Sequence, residues 1–476
     1  MANVNPLPQG DPDREQHGMT RREAVQDGAK LVLAAGIGAQ IMAATGADTA
    51  IARQVRSVAG RAANKPGYGP LVPAMNGKMT LPKGFSVFQF GVADSKMSDG
   101  LKTPRCHDGS AVFKDKQGRL TLIRNQELAG LGHAIGPKNA YDRNAKGGVT
   151  TTTIDPKTGK LIGSALVLNG TDNNCNGGKT PWGTWLTCEE STVGKFKGYE
   201  KEHGYVFEIP HNASSPIEPK PIKAMGRFVH EACAIDPKTG IVYMTEDNGP
   251  DGFYRYIPNH PGQLHRGGKL QMLAVEGRSK YDTVHGQTVG EKLPCEWVTI
   301  PDVDPEDAER HPTRVYDQGR ELGAARFLGL EGANWGQGSV WFTASESGDK
   351  LAGQVWKYTP SKNLKKGTLE LMFESDDRKV LDEPDAIVVS PRGGVLLCED
   401  GDGEDGGTNY IRILTPAGKM ETFAKNTTTI PGENRNPGVT EWSGACYSPD
   451  GKWLFVNLYH PGRSYAITGP WEKGWL

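Results

Sequence analysis

The feature that most constrains the fold is a motif that recurs along the chain. Each copy has an acidic or thiol residue near a small or apolar pair, then a tight turn, then an alternating apolar run. Proline presets φ and glycine accepts positive φ in such turns, so each copy predicts a β-hairpin. The six copies are "CHDGSAVFKDKQGRLTLIRNQE" from Cys106, "NNCNGGKTPWGTWLTCEES" from Asn173, "HEACAIDPKTGIVYMTEDNG" from His230, "LEGANWGQGSVWFTASESG" from Leu330, "EPDAIVVSPRGGVLLCEDG" from Glu383 and "TEWSGACYSPDGKWLFVNL" from Thr440.

The spacing of the copies predicts the architecture. Four steps between equivalent positions are 52–67 residues long and one is 100, with the equivalent positions taken as Asp108, Cys175, Glu231, Glu331, Asp385 and Glu441. Repeated hairpins of this length suit blades arranged radially. We therefore predict an all-β fold, a six-bladed β-propeller with an insertion between the third and fourth repeats, at about residues 250–325. The alternative is a β-sandwich whose turns resemble one another by coincidence.

The residue near the start of each hairpin indicates the chemistry of the site. It is a carboxylate in five copies and the thiol of Cys175 in the remaining copy, the second along the chain. Equivalent positions of successive blades surround the propeller axis, so these side chains should meet at the mouth of the channel. Carboxylates at short range cannot all stay ionised unless cations neutralise them. A metal cluster is therefore predicted, in which oxygen ligands suit calcium and a thiolate suits iron or zinc.

A second acidic motif ends three of the hairpins. It is a threonine or cysteine followed by a glutamate and another acid, at Glu189 and Glu190, Glu246 and Asp247, and Glu399 and Asp400. The seven cysteines contain no CxxC pair, which disfavours a disulfide framework and leaves buried thiols as the simplest interpretation of most of them.

The N-terminus predicts export. Arg21 and Arg22 precede a weakly apolar stretch at 31–44 that ends in small residues, which is typical of a twin-arginine signal. An ordinary amphipathic helix is the alternative. The apolar stretch is too short for a stable membrane span. We expect residues 1–60 to be signal and linker, residues 61–476 to be one propeller domain, and the twin-arginine machinery to deliver the protein to the periplasm or the exterior.

The charge balance argues against nucleic acid as a partner. The chain has 55 basic and 56 acidic residues without a basic cluster. Neither a GxSxG nucleophile elbow, a Walker A sequence nor an HExxH helix is present. These absences disfavour serine hydrolases, P-loop enzymes and zinc hydrolases. The oligomeric state that we expect is a monomer.

With these motifs assembled, the chain resembles the PhoX-type alkaline phosphatases over roughly residues 65–470. The resemblance is carried by "NCNGGKTPWGTWLTCEES", "HEACAIDPKTGIVYMTED", "RFLGLEGANW", "EPDAIVVSPRGGVLLCEDG" and "SPDGKWLFVNLYHPG". It implies a six-bladed propeller, twin-arginine export, and an active site with two irons bridged by a cysteine thiolate and calcium alongside. By this resemblance Cys175 would be the bridging thiolate, and the cofactors would be Fe(III) and Ca²⁺.

The same matching implies the remaining site residues. The metal ligands would be Cys175, Glu189 or Glu190, Glu231, Glu246, Glu331, Asp385 and Glu399. In the phosphatase motif an arginine that clamps phosphate stands two residues before Glu331, and this chain has Gly329 there. Arg326 would compensate and Trp442 would lie near the substrate, so the expected catalytic residues are Cys175, Arg326, Glu331 and Trp442.

The function expected from these features is hydrolysis of small phosphate esters by an exported metal-dependent phosphatase or phosphoesterase. Two alternatives remain open. One is a calcium-dependent hydrolase similar to lactonases, whose sites need no thiolate. The other is a propeller without catalytic activity, whose metals are structural and whose surface binds a partner.

Overall fold

The computed structural model describes residues 65–158, 160–401, 408–428 and 440–476. The expected signal and linker, residues 1–60, lie outside these ranges, so their assignment and the boundary at residue 60 stay predictions. In the part of the chain that is described, no helix is both long enough and apolar enough to cross a membrane.

Strands dominate the described ranges, which contain a single α-helix, of eight residues. The first three strands precede the repeats: β1 (Leu71–Ala74), β2 (Met79–Pro82) and β3 (Ser86–Phe90). Short 3₁₀ helices occupy some connections, at Met75–Gly77, Lys195–Lys197, Lys223–Met225, Leu264–Arg266 and Trp471–Lys473.

Each of the six sequence repeats begins with a hairpin of antiparallel strands. The first repeat contains β4 (His107–Lys114), β5 (Leu120–Gln126), β6 (Gly147–Ile154) and β7 (Leu161–Thr171). The second contains β8 (Gly178–Lys179), β9 (Thr184–Cys188) and β10 (Val206–Pro210). The third contains β11 (His230–Ile235), β12 (Val242–Glu246), β13 (Phe253–Pro258) and β14 (Gly268–Val275).

The region expected to be an insertion has two parts. Its first part supplies β13 and β14, which continue the sheet of the third repeat in regular antiparallel order. The remainder contains β15 (Lys292–Thr299) and helix α1 (Arg314–Glu321). Strand β15 pairs with β14 on one side and with a strand of the fourth repeat, β19 (Gly367–Glu374), on the other, which joins two repeats into one nine-stranded sheet.

The last three repeats have the same strand order. The fourth contains β16 (Leu330–Gly336), β17 (Ser339–Ala344), β18 (Gln354–Pro360) and β19. The fifth contains β20 (Pro384–Val389), β21 (Val395–Glu399), β22 (Tyr410–Leu414) and β23 (Met420–Asn426), extended by β2 and β1. The sixth contains β24 (Trp442–Tyr447), β25 (Leu454–Leu458) and β26 (Arg463–Thr468), and β3 completes its sheet, which we call the closing sheet.

The inner strands of the repeats form a closed circle. Strand β4 packs against β8, β8 against β11, β11 against β16, β16 against β20, β20 against β24, and β24 returns to β4. Strand β3, which precedes the first repeat, pairs with β26, the last strand of the described chain, so the sixth sheet combines segments from before the first repeat and from the end of the chain. This arrangement confirms the prediction of an all-β, propeller-like fold.

The core lies between neighbouring sheets because successive side chains of a strand point to opposite faces. In β12, Val242 and Met244 join a cluster with residues of the second repeat, whereas Tyr243 between them joins a cluster with residues of the fourth. All three side chains are fully buried. Burying an apolar side chain of this size contributes about 1.5–3 kcal/mol, so both faces of each sheet stabilise the circle.

A β-bulge interrupts the inner hairpin of five repeats at the same place, and in four of them it surrounds the position that the sequence singled out. The register shifts lie between His107 and Ser110, His230 and Cys233, Leu330 and Ala333, Pro384 and Ile387, and Ser443 and Cys446. Such a bulge re-aims a side chain at the rim of a sheet. By this register Gly444, and not Glu441, is equivalent to Asp385, so the sequence alignment of the sixth repeat was wrong by three residues.

Candidate metal centre

The circle of inner strands brings together side chains from four different repeats. Cys175, Glu190 and Glu231 form one group and Glu231, Glu331 and Asp385 form another. Within each group the potential ligand atoms lie within 4.8 Å of one another. All of these side chains are buried except that of Glu190, which is half-buried. Because Glu231 belongs to both groups, the two form one continuous acidic and thiol cluster.

Hydrogen bonds between neighbouring repeats hold the backbone of these residues. The hydroxyl of Thr245 on β12 donates to the carbonyl of Glu331, at 2.7 Å, and that of Thr343 on β17 donates to the carbonyl of Asp385, at 2.6 Å. The amide of Asn125 on β5 donates to the carbonyl of Cys175. Each second strand therefore fixes the cluster residue of the following repeat, which preorganises the site.

Side-chain hydrogen bonds also orient the carboxylates themselves. The Nδ2 amide of Asn176 donates to Glu231 Oε1 at 2.9 Å and to Asp385 Oδ1 at 3.1 Å, and so connects two acids of the cluster. Ser345 Oγ donates to Glu331 Oε1 at 2.9 Å. The sequence reasoning missed Asn176, although its position directly after Cys175 in "NNCNGG" was the signal that could have indicated it.

The thiol of Cys175 lies among backbone carbonyls, with its Sγ 3.0 Å from the oxygen of His230 and 3.1 Å from that of Glu231. Burial, and then the negative charges of Glu231 and Glu190, raise the pKa of this thiol well above its usual value. A thiolate is therefore unfavourable here unless a cation displaces the proton. The donor set of thiol and carboxylates consequently fits a bound metal ion.

The adjacent residues Glu189 and Glu190 have different surroundings. Glu190 lies in the cluster, and Asn173 Nδ2 donates to its Oε2 at 3.1 Å. Glu189 points the other way: His203 Nδ1 donates to its Oε1 at 2.6 Å, and the backbone amide of Gly204 donates to its Oε2 at 2.9 Å. Since these bonds tie the end of β9 to the chain that leads into β10, Glu189 acts as a structural carboxylate.

Glu246 and Glu399 lie at the same strand position as Glu189, and their carboxylates also form hydrogen bonds with groups outside the cluster. Glu246 Oε2 accepts from the amide of Gly252 and from the hydroxyl of Tyr254, at 3.0 and 2.7 Å. Glu399 accepts from the amide of Tyr410 at 2.8 Å and pairs with Arg412, whose Nε lies 2.6 Å from Oε1. Neither carboxylate belongs to the two groups formed by the described residues.

Burial dominates the titration of these two glutamates. It raises the pKa of Glu246 well above the usual value, and it raises the pKa of Glu399 to about 8 although the charge of Arg412 acts in the opposite direction. Both carboxyls stabilise the junction between the second and third strands of their repeats. The expectation that they bind metal gains no support from their contacts.

Negative charge extends beyond the cluster. Glu441 is buried, and its pKa is raised well above the usual value, first by burial and then by the charges of Asp400, Asp385, Glu127 and Asp108. Glu441 therefore shares an acidic environment with the cluster, although its backbone lies three residues before the equivalent position. This concentration of acids favours the binding of cations.

The structure does not bring Arg326 and Trp442 into the cluster. Arg326 Nη1 pairs with Asp282 Oδ2 at 2.8 Å, on the chain between the third and fourth repeats. Trp442 is fully buried in a hydrophobic cluster, where its indole donates to the carbonyl of Asn409 at 3.1 Å. Of the four expected catalytic residues, only Cys175 and Glu331 lie in the cluster.

Gly329 has a backbone that other residues rarely adopt. Its φ is +64°, and an added Cβ would lie 2.6 Å from Ser345 Oγ and 2.7 Å from the amide nitrogen of Glu346. An arginine at this position would therefore require the loop before Glu331 to move. Glycine at position 329 therefore suits the local backbone.

The closed circle of strands and the acidic and thiol cluster define a propeller-like protein with a candidate metal centre. The sequence profile of the family described as alkaline phosphatase PhoX matches residues 163–462. The chain belongs to the alkaline phosphatase PhoX family. No curated protein sequence is significantly similar to the chain.

Solved structures with a similar fold include PhoX of Pseudomonas fluorescens in complex with vanadate, a transition-state analogue. The identity is 17%, the match covers 84% of this chain and 97% of that one, and the TM-score is 0.61. A gluconolactonase from Xanthomonas campestris matches with 11% identity, 84% and 98% coverage and a TM-score of 0.41. Virginiamycin B lyase from Staphylococcus aureus matches with 12% identity, 81% and 99% coverage and a TM-score of 0.37.

Proposed function

We propose that this protein is a metal-dependent phosphoric-ester hydrolase whose catalytic centre is the cluster of Cys175, Glu190, Glu231, Glu331 and Asp385. The observation that carries the proposal is the convergence of a buried thiol and four carboxylates from four repeats in a chain that belongs to a phosphatase family. The substrates would be small phosphate esters.

The two groups of the cluster differ in their ligand chemistry. The group with Cys175 offers a thiol and two carboxylates, a set that suits iron, whereas the group of Glu231, Glu331 and Asp385 offers only oxygen and suits calcium. The proposed cofactors are therefore Fe(III) next to Cys175 and Ca²⁺ next to Asp385. Bound metal ions would supply positive charge to the oxygens of a phosphate ester and lower the pKa of a bound water.

The residues of the chain have separate roles in this proposal. Asn176 keeps Glu231 and Asp385 oriented, and Ser345 does the same for Glu331. Without cations, the carboxylates repel a phosphate ester, so the chain alone does not favour the substrate. No described contact places Arg326 at the cluster, and a larger side chain at position 329 would require the neighbouring loop to move.

Metal analysis combined with an activity assay tests the proposal. The purified full chain should contain iron and calcium, absorb visible light as a ferric thiolate, and hydrolyse phosphate monoesters or diesters. The variant Cys175→Ser should lose the absorption band, and Cys188→Ser, which replaces a neighbouring buried thiol, should keep it. A protein with both metals bound that hydrolyses neither class of ester, under conditions where it is folded, would refute the enzymatic function and favour a structural role for the metals.

We also propose export through the twin-arginine machinery to the periplasm or the exterior, based on Arg21 and Arg22 and on the apolar stretch that follows. Replacing both arginines by lysine should retain the protein in the cytoplasm, which cell fractionation would show. Unchanged export of that variant would contradict this part of the proposal.

A further inference from the structure

Four arginine side chains of the described chain are almost fully buried, with at most 5% of their surface exposed: Arg124, Arg227, Arg255 and Arg412. Three of them have an evident compensation. Arg227 pairs with Glu202 and Arg412 pairs with Glu399, so a carboxyl group lies against each of these two guanidinium groups.

Arg255, the third, has no carboxylate partner in the part of the chain that the structure describes, but its guanidinium is well satisfied. Its Nε and Nη2 donate to Gln271 Oε1 at 2.9 and 2.7 Å, and its Nη1 donates to the carbonyl of Leu364 at 2.5 Å. The guanidinium also lies 4.4 Å from the centre of the Trp297 ring, a cation–π contact. Arg255 is therefore a useful reference for a buried arginine without a counter-charge.

Arg124 differs from all three. Its Nη1 donates to Ser464 Oγ at 2.6 Å and its Nη2 donates to Thr150 Oγ1 at 3.4 Å. Its Nε is buried without a hydrogen-bond partner, and no carboxylate of the described ranges forms an ion pair with it. Burial lowers the pKa of Arg124 to about 9, which leaves the guanidinium charged at neutral pH. An uncompensated buried charge is strongly unfavourable.

The surroundings of Arg124 offer further unsatisfied atoms. Arg124 lies on β5, between the sheet of the first repeat and the closing sheet, and the backbone of Gly91 on the closing side comes close to its Nη1. Among the described residues, Gln126 Oε1 is also buried without a hydrogen-bond partner. Burial, and then the charge of Arg124, lower the pKa of His107, so this neighbouring side chain stays neutral and adds no second positive charge.

The hydroxyl of Thr150 is able to donate to a ligand at this place. Its oxygen accepts from Gln126 Nε2 at 2.9 Å and from Arg124, which leaves its own proton available. Ser464, by contrast, uses its proton on Asn457 Oδ1, at 2.5 Å. One positive charge and one free hydroxyl proton match a small ion with a single negative charge better than a phosphate with two.

We propose that Arg124 and Thr150 form a buried binding site for a monovalent inorganic anion of the halide class, between the first sheet and the closing sheet. The site does not depend on the phosphatase activity. The bound anion neutralises Arg124 and stabilises the contact through which the last sheet closes onto the first.

Thermal unfolding of the purified full chain tests this site. The measurements are made at neutral pH and constant ionic strength, with chloride replaced stepwise by gluconate, which is too large for a buried site. Above the dissociation constant, each tenfold rise in chloride should lower the unfolding equilibrium constant about tenfold. The response should disappear in Arg124→Met and persist in Arg255→Met, the matched variant of a satisfied buried arginine. A wild-type protein that does not respond to chloride, or an Arg124→Met variant with the full response, would overturn the proposal.

Crystals grown in bromide decide the question if Arg124→Met fails to fold. An anomalous bromide peak within hydrogen-bond distance of the Arg124 guanidinium is the expected result. Ordinary water density without an anomalous signal at this position would show that solvent alone satisfies Arg124, and the anion site would be rejected.

Discussion

Replacing His203 by asparagine should destabilise the protein in a manner that depends on pH. His203 is completely buried between two carboxylates: its Nδ1 donates to Glu189 Oε1 at 2.6 Å, and its Nε2 donates to Asp142 Oδ2 at 3.4 Å. Burial by itself lowers the pKa of His203, but the charge of Glu189 and the hydrogen bonds to both carboxylates outweigh it and raise the pKa to about 10. The imidazole is therefore a buried cation at neutral pH.

The magnitude follows from the difference between the folded and unfolded pKa values of His203. An ordinary histidine has a pKa near 6.5, and a pKa difference of 1 corresponds to about 1.4 kcal/mol, so the charged form contributes roughly 3–5 kcal/mol to the free energy of unfolding. Because the pKa is raised in the folded state, this contribution is complete below about pH 6.5 and is lost as the pH rises towards 10. Asparagine at position 203 can still donate to Glu189 but carries no charge.

Urea unfolding of the metal-free protein and of His203→Asn, from pH 6 to pH 10.5, measures the effect. The difference in the free energy of unfolding should be about 3–5 kcal/mol at pH 6 and should shrink steadily above pH 6.5. The control is His211→Asn, since His211 donates only to the carbonyl of Gly183 and stacks on Phe113. That variant should lose about 1 kcal/mol, which measures the cost of removing a single side-chain hydrogen bond from a histidine. A difference for His203→Asn that stays constant across the pH range would refute the reasoning.

Three further experiments probe the metal centre and its loop. Cys175→Ser should weaken iron binding at least about 10-fold while leaving the unfolding of the metal-free protein nearly unchanged, as metal titration and urea unfolding would show. Glu190→Gln should reduce metal affinity with little loss of stability, whereas Glu189→Gln should lower stability. Identical effects of the two variants on both quantities would contradict the assignment of Glu190 to the metal cluster and of Glu189 to a structural role. Gly329→Ala should lower the free energy of unfolding by about 1–3 kcal/mol, because of the positive φ and the contact of the added Cβ with the next loop. The loss should exceed that of Gly338→Ala, where φ is +76° but nothing lies near the added Cβ. Equal melting temperatures of the two variants would count against the steric argument.

The repeat in the sequence was sufficient to predict the kind of fold and part of the site. Each hairpin has a tight turn and carries a carboxylate or a thiol near its start. Regular repeats impose a regular geometry, so these side chains lie at equivalent points of a circle. The structure brings Cys175, Glu231, Glu331 and Asp385 together, as this reasoning expected. The sequence motif could not show that Gly444, and not Glu441, occupies the equivalent position in the sixth repeat. A bulge changes the register of that hairpin.

The sequence could not show which of the adjacent acids Glu189 and Glu190 faces the cluster. Neighbouring residues of a strand face opposite sides, and only the register of the hairpin decides which of them points to the mouth. The structure directs Glu190 to the cluster and Glu189 to His203.

The sequence by itself determined the all-β repeat and the set of acidic and thiol side chains that recur at its equivalent positions. Only the tertiary structure decided which carboxylates converge, how Asn176 connects Glu231 to Asp385, and that Arg124 is buried without an ion-pair partner among the described residues. These features depend on contacts between repeats that are far apart in the chain. Local patterns specify each hairpin, whereas the packing of one sheet against the next determines the surroundings of every polar group between them.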